Sequence, residues 1–378
     1  MLEVFWASNR DLGGSQTRPL LGKRFNALGP QYFRVGCADI DPQGYRPQRI
    51  VVLPEHLDDH GAAPVAPLYG SETLFAQLKA RMAGRGQDAL VLIHGFASSF
   101  ETTLARSAEI ADRWRPGDRP LPVFVFSWPS DGEIVPSARY VSDRDDAAGS
   151  GLALARALMA LLGFLRRVHA EGSDCGQRLH LVAHSMGNWA LRFALQALRG
   201  MLGTDRLPQV FETVFLMAAD EDDDALEHDH KLGLLPRLAA QVLVYHARGD
   251  RALMVSDLTK ANPARLGSAG PRTRDGLSAR IQTIDCSLVA ETALGDAGHQ
   301  YYRCRPEVIA DVRQVLAGTA AEAIAGRRWS PAERSWRILP AANGAVQPAG
   351  SRSLAMNSDS GARRSSPNGP VGQHAARA

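Results

Sequence analysis

Cysteine is scarce in this chain of 378 residues: Cys37, Cys175, Cys286 and Cys304 lie far apart, with no C-x-x-C pair among them. That excludes a zinc knuckle and a disulfide framework, and it fits a reducing compartment. Excess charge is scarce as well. The 43 Lys and Arg face 40 Asp and Glu, a formal +3, too little for the basic stripe that marks a nucleic-acid partner. No repeat with a period of about 20–50 residues is present, which sets solenoids and propellers aside. The N-terminus has Glu3 where a secretory leader carries positive charge, and it lacks an apolar core of roughly 7–15 residues. The longest apolar stretch, Leu152 to Leu165, contains Arg156 and falls short of the ~18 residues of a spanning helix. The expectation is a cytoplasmic protein without a transmembrane segment, with that stretch as a buried helix.

What the sequence does hold is an alternation of two kinds of segment. Short apolar runs bounded by turn residues recur at Ala89–His94, Pro122–Trp128, Arg178–His184, Thr213–Ala219, Gln241–Ala247 and Arg280–Asp285. Such runs predict strands covered on both faces. Between them, Ser98 and Glu101 have capping-box spacing ahead of Leu104, Ala108 and Ala111, which predicts a helix to about Trp114. Asp143 to Ala170 predicts a long helical stretch interrupted at Gly149, Gly151 and Gly163, and Asn188 to Arg199 a buried helix. Strands alternating with helices imply right-handed βαβ units, a mostly parallel central sheet and an α/β class. Before Ala89 the signal is thinner. Leu2–Ser8, Gln31–Gly36 and Arg49–Leu53 supply candidate edge strands, with a helix from Ser71 to about Met82.

The last 38 residues, Ala341 to Ala378, contain no aromatic residue, and 17 of them are Gly, Ser, Pro or Asn. A segment of that composition cannot bury enough apolar surface to offset its ordering entropy. The sequence therefore divides into a catalytic-sized domain over 1–340 and a disordered tail over 341–378. Four arginines and one aspartate of the tail account for the whole formal excess of charge.

The sharpest chemical signal is LHLVAHSMGNWA, Leu179 to Ala190. A buried strand runs through His184 into Ser185 and then directly into a buried helix, the arrangement of a nucleophile elbow. Small residues two before and two after the serine let strand and helix approach; here they are Ala183 and Gly187, with alanine where the usual pattern has glycine. A serine hydroxyl becomes a nucleophile when a histidine takes its proton and an acid orients that histidine. In this arrangement the partners follow in the order Ser, Asp/Glu, His. Asp250, in the turn after Gln241–Ala247, suits the acid, and Asp220, after Thr213–Ala219, is its rival. His299 is the sole histidine between Asp250 and the tail and suits the base. Backbone donors for an oxyanion should come from Met186, after the nucleophile, and from Phe96 in the loop IHGFASS, where Gly95 allows a close turn. His94 reads as a side chain shaping that loop.

Two other features were weighed. Glu221 to His230 concentrates carboxylates with His228 and His230, but lacks a glycine-turn calcium loop and reads as a solvated acidic loop rather than a metal site. Trp128, Pro129, Ile134, Val135 and Tyr140 follow a predicted strand at the edge where open α/β sheets bind ligands. They either line an acyl or leaving-group pocket or pack over the sheet.

The motifs HGFASSFE, FSWPSDG, Tyr140–Arg144, AHSMGNWAL, YHARGDRAL with Arg265-Leu266-Gly267, and GHQYY occur in that order, after an N-terminal VFWASNR. In that order they resemble a little-characterised bacterial branch of the esterase/lipase α/β-hydrolases, over roughly Leu2 to Arg305. The resemblance implies the α/β-hydrolase fold, with helices on both faces of the sheet, Ser185 as nucleophile, Asp250 as acid and His299 as base. The expected activity is cleavage of a carboxylic ester or related acyl bond in a small-molecule substrate, with no metal or organic cofactor. Acyl transfer or thioester cleavage at the same site is the alternative. A catalytically idle binding or scaffold protein is the alternative of another class. Substrate identity and oligomeric state are not legible.

Overall fold

The six apolar runs form strands because each has a hydrophobic layer to bury on both sides. The computed structural model describes residues 1–15, 17–54, 70–130, 138–253, 264–290 and 298–341. In chain order the strands are β1 (Leu2–Ser8), β2 (Arg10–Ser15), β3 (Arg18–Phe25), β4 (Arg34–Asp41), β5 (Arg46–Leu53), β6 (Ala89–Ile93), β7 (Val123–Ser127), β8 (Leu179–His184), β9 (Phe211–Met217), β10 (Ala239–His246), β11 (Ile281–Asp285), β12 (Arg327–Ser330) and β13 (Ser335–Ile338). All but β2 and β3 join one sheet in the order β12-β13-β11-β10-β9-β8-β6-β7-β1-β4-β5. From β13 to β1 every neighbouring pair is parallel; β4, β5 and β12 pair antiparallel at the two sides.

The long helices divide between the two faces. On one side α1 (Gly70–Arg85), α4 (Gly151–Ala170) and α5 (Gly187–Leu202) bury Leu74, Leu78, Leu158, Leu162, Leu191 and Leu195 against Val91, Ile93, Leu181 and Leu216. On the other, α2 (Phe100–Arg113) and the last long helix (Pro306–Leu316) bury Leu104, Ala108, Val308 and Val312 against Leu90, Leu92, Val182 and Phe215. Alternate residues of one strand thus serve opposite cores, as the two-residue period of a strand requires. Each buried leucine contributes roughly 1.5–3 kcal/mol, and it is this double burial that selects unbroken apolar runs over polar alternation. The expected α/β architecture, mostly parallel with helices on both faces, is the one observed.

The departures have local causes. The capping serine of α2 is Ser99, one residue later than expected: its Oγ accepts the N–H of Thr102 at 3.1 Å. Ser98 is engaged elsewhere, its N–H donating to Ser130 Oγ. The helical stretch from Ala138 breaks once, at Ser150, between α3 (Ala138–Gly149) and α4, while Gly163 continues the helix. The hairpin β2–β3 and the pair β12–β13 were not anticipated, because RDLGGS and RRWS carry neither apolar run nor clean alternation. Ile134, Val135 and residues 342–378, on which a pocket and a disordered tail were expected, lie outside the described residues.

Candidate active site

The parallel strands all end at one edge, and the residues singled out from the sequence collect there. Ser185 follows β8 with φ 52° and precedes α5. A non-glycine residue in that left-handed region costs about 1–3 kcal/mol and persists only where surroundings hold it. They do so through both ends of its peptide units. The Ser185 N–H donates to Met217 O at 3.0 Å, and its carbonyl accepts from Asp220 N, Asn188 N and Asn188 Nδ2 at 3.0–3.1 Å. A Cβ on Gly187 would lie 2.5 Å from the His94 carbonyl oxygen, so only glycine permits the helix to start against β6. Ala183 is fully buried at the position where glycine is usual, and its methyl is part of the core.

His299 and Asp250 come together. The His299 ring Nδ1 lies 2.7 Å from Asp250 Oδ2, and Asp250 is wholly buried in the turn after β10. The other carboxylate oxygen accepts from Ala252 N and Leu253 N at 3.1 and 3.2 Å, which fixes its plane. An Nδ1–H held by the carboxylate leaves Nε2 as the ring's basic nitrogen. The segment carrying His299 is itself anchored: Tyr301 Oη donates to Tyr245 O at 2.8 Å and Trp114 Nε1 to Tyr302 O at 3.0 Å. His184, the neighbour of Ser185, packs its ring 4.7 Å from that of His299 and stacks on Tyr302 at 4.5 Å. Burial holds the His184 imidazole well below its usual range, with the His299 charge adding to the effect, so a neutral ring packs between His299 and Tyr302 beside Ser185.

Met186 and Phe96 sit on either side of the serine. The left-handed Ser185 followed by Met186 at φ −61° forms a turn whose successive N–H groups converge, and the first N–H groups of a helix have no partner within it. Across from it, a Cβ on Gly95 would meet Ser185 Cβ at 2.8 Å, so the loop that carries Phe96 runs directly against Ser185. His94 shapes this loop, as expected. Its Nδ1 donates to Gly95 O at 2.8 Å, its Nε2 accepts from Trp128 N at 3.1 Å, and its ring stacks on Trp128 at 4.8 Å. Burial, with the charge of Arg10, pushes His94 down to about 3. Trp128, fully buried, also donates Nε1 to the His94 carbonyl at 2.9 Å. It therefore packs beneath the loop rather than lining an open pocket.

Asp220 is committed differently from Asp250. Tyr140 Oη donates to its Oδ2 at 2.5 Å, and Arg265 Nε lies 3.9 Å from Oδ1. The run after it is not the solvated loop expected from its composition. Glu221 is fully buried beside Arg192 Nη1 at 3.3 Å, Asp222 pairs with the buried Arg265 at 2.7 Å and with Lys231 at 3.1 Å, and Asp223 with Arg272 at 2.6 Å. Burial pushes the Glu221 carboxyl up to about 7, against the opposing pull of Arg192. Apart from Lys231, the cations come from distant parts of the chain, Arg192, Arg265 and Arg272, so no local pattern could reveal them. Among the described residues no group of three or more His, Cys, Asp or Glu is placed to hold a metal ion.

Residues 72–318 match the model of a family described as alpha/beta hydrolase of unknown function (DUF900). No curated protein and no solved structure matches the chain.

Proposed function

Since the chain belongs to this family of α/β hydrolases, whose model spans more than half of it, we propose that it cleaves a carboxylic ester or related acyl bond through Ser185, His299 and Asp250. The observation that carries the reading is the 2.7 Å contact of His299 Nδ1 with a buried Asp250, on a segment packed against the residue next to a strained serine.

In the proposed cycle His299 Nε2 takes the Ser185 proton as Oγ attacks the acyl carbon. The N–H groups of Met186 and Phe96 hold the oxygen on which negative charge develops, and Asp250 stabilises the imidazolium and fixes its tautomer. The histidine then delivers its proton to the leaving alcohol, and water repeats the steps to free the acid and the serine. Asp250 is the preferred acid because its carboxylate meets the ring, whereas the Asp220 carboxylate is bound by Tyr140 and paired with Arg265. The substrate is a small acyl compound, and the cytoplasm fits the sequence.

Labelling with a fluorophosphonate probe tests this. Wild-type protein should label, and Ser185→Ala and His299→Ala should not. A folded wild type that stays unlabelled, or a Ser185→Ala variant that still labels, would remove the assignment.

A further inference from the structure

Behind the loop that carries Phe96 lies a guanidinium that the cycle above does not use. Arg10, just beyond β1, is wholly shielded from solvent, and its partners are neutral oxygens from three separate segments of the chain, β3, the end of β7 with the residues after it, and the loop before α2. Nε donates to Ser127 Oγ at 3.0 Å, Nη1 to the carbonyls of Gly22 at 2.9 Å and Ser130 at 3.3 Å, and Nη2 to the carbonyl of Ser98 at 2.7 Å. Ser98 is held at its other polar atoms too. Its N–H donates to Ser130 Oγ at 3.1 Å, and its Oγ accepts from Arg106 Nη1 at 2.8 Å and donates to Phe96 O at 3.3 Å. Between Phe96 and Ser98 stands Ala97, at φ 53°. A strained residue in a loop of this kind keeps its conformation only because both flanks are fixed.

We propose, on the basis of the serine-hydrolase reading, that Arg10 is a positioning residue for the oxyanion loop: by clamping the Ser98 carbonyl to the 127–130 turn, it fixes the direction of the Phe96 N–H. A planar fork with donors in several fixed directions can join three chain segments at once, which a lysine ammonium on a flexible stem cannot. The charge matters as well. Its hydrogen bonds go to neutral oxygens, and the carboxylates of Glu101, Asp143, Asp11 and Asp146 balance part of its charge through space. That charge reaches His94, where it adds to burial in keeping the ring neutral. Arg10 precedes residue 72, so this part of the site comes from chain outside the matched family stretch.

The test compares wild type with Arg10→Lys and Arg10→Gln on a p-nitrophenyl ester, with active sites counted by fluorophosphonate titration. The proposal expects kcat per titrated site to fall about 10²-fold in both variants, as for a misplaced catalytic group. KM should stay within about 3-fold, and the midpoint of the pH profile of kcat/KM should not move. A purely structural role would lower the number of titratable sites and leave turnover per site near wild type, which overturns the proposal; full turnover in Arg10→Lys overturns it too. If neither variant folds, Ser127→Ala, which removes the acceptor of Nε, decides: a loss of about 10-fold per site supports the clamp, and an unchanged rate refutes it. A wild type that neither labels nor turns over would take down the hydrolase reading and this inference together, whereas an active wild type with unaffected variants removes this inference alone.

Discussion

Asp250 and Asp220 stand at the ends of adjacent strands, and a single side chain separates their roles. Replacing Asp250 with Asn should lower kcat about 10⁴-fold while the protein still folds, since the histidine then loses the partner that sets its tautomer. Asp220→Asn should cost far less, because an amide can still accept from Tyr140. Parallel kcat measurements on one ester decide between them, and a collapse confined to Asp220→Asn would reverse the assignment. A second contrast concerns pH. His94, at about 3, and His246, at about 4, are held neutral by burial, both below the ordinary 6.5. Their stabilisation is full above pH 6.5 and is lost as the pH falls toward those values, because only the unfolded chain takes up the protons. Glu221 works in the opposite sense: raised from 4.5 to about 7, it favours folding below pH 4.5 and that contribution is lost as the pH rises to 7. Unfolding free energy from urea melts should therefore climb between pH 4.5 and 6.5, and Glu221→Gln should steepen the climb by about 1 kcal/mol per pH unit. The meeting of His299 with Asp250 and the tight turn at Ser185 were legible because chain order and strand ends constrain them. The burial of Glu221 was not, since Arg192 and Arg265 that neutralise its surroundings are fixed only by the fold.

At the scale of elements, what the sequence reveals depends on what each element covers. The central strands, with two cores to serve, announce themselves as apolar runs. The pair β12–β13 is short, with Ile338 in the core, and is also held by polar contacts: Arg327 pairs with the buried Asp311 of the last long helix, which also accepts from Tyr245 Oη at 2.6 Å. No hydrophobic period records such a link. Asp311→Ala should accordingly destabilise by about 3–5 kcal/mol, the penalty for a buried charge left without its partner. For α2, whose capping serine lies one residue beyond the expected one, Ser99→Ala should cost about 1 kcal/mol and Ser98→Ala should leave the cap intact. Chemical denaturation of the three variants measures both claims; equal losses at Ser98 and Ser99 would contradict the second unless turnover per site also falls in the Ser98 variant.

Across the whole molecule, the residues that meet at the site all lie within Met1–Pro340. Removing residues 341–378 should leave kcat/KM within about 2-fold of the full chain, as expected from their Gly-, Ser-, Pro- and Asn-rich composition. A larger change would give those residues a role in turnover. The N-terminal strands have the opposite standing. β1 lies between β7 and β4 and pairs with β7 in parallel, Val4 opposite Val123 and Ser8 opposite Ser127. Parallel pairing across so long a stretch of chain requires a large loop to close before any ladder bond forms, and such contacts are slow to make. Trp6, at the centre of β1, is fully buried with its ring edge 5.1 Å from Phe100. In refolding, the backbone ellipticity should thus recover before the Trp6 signal, isolated as the difference from Trp6→Phe. β1 can pair with β4 from nearby chain, but it enters the parallel ladder only when residues near 125 are in place.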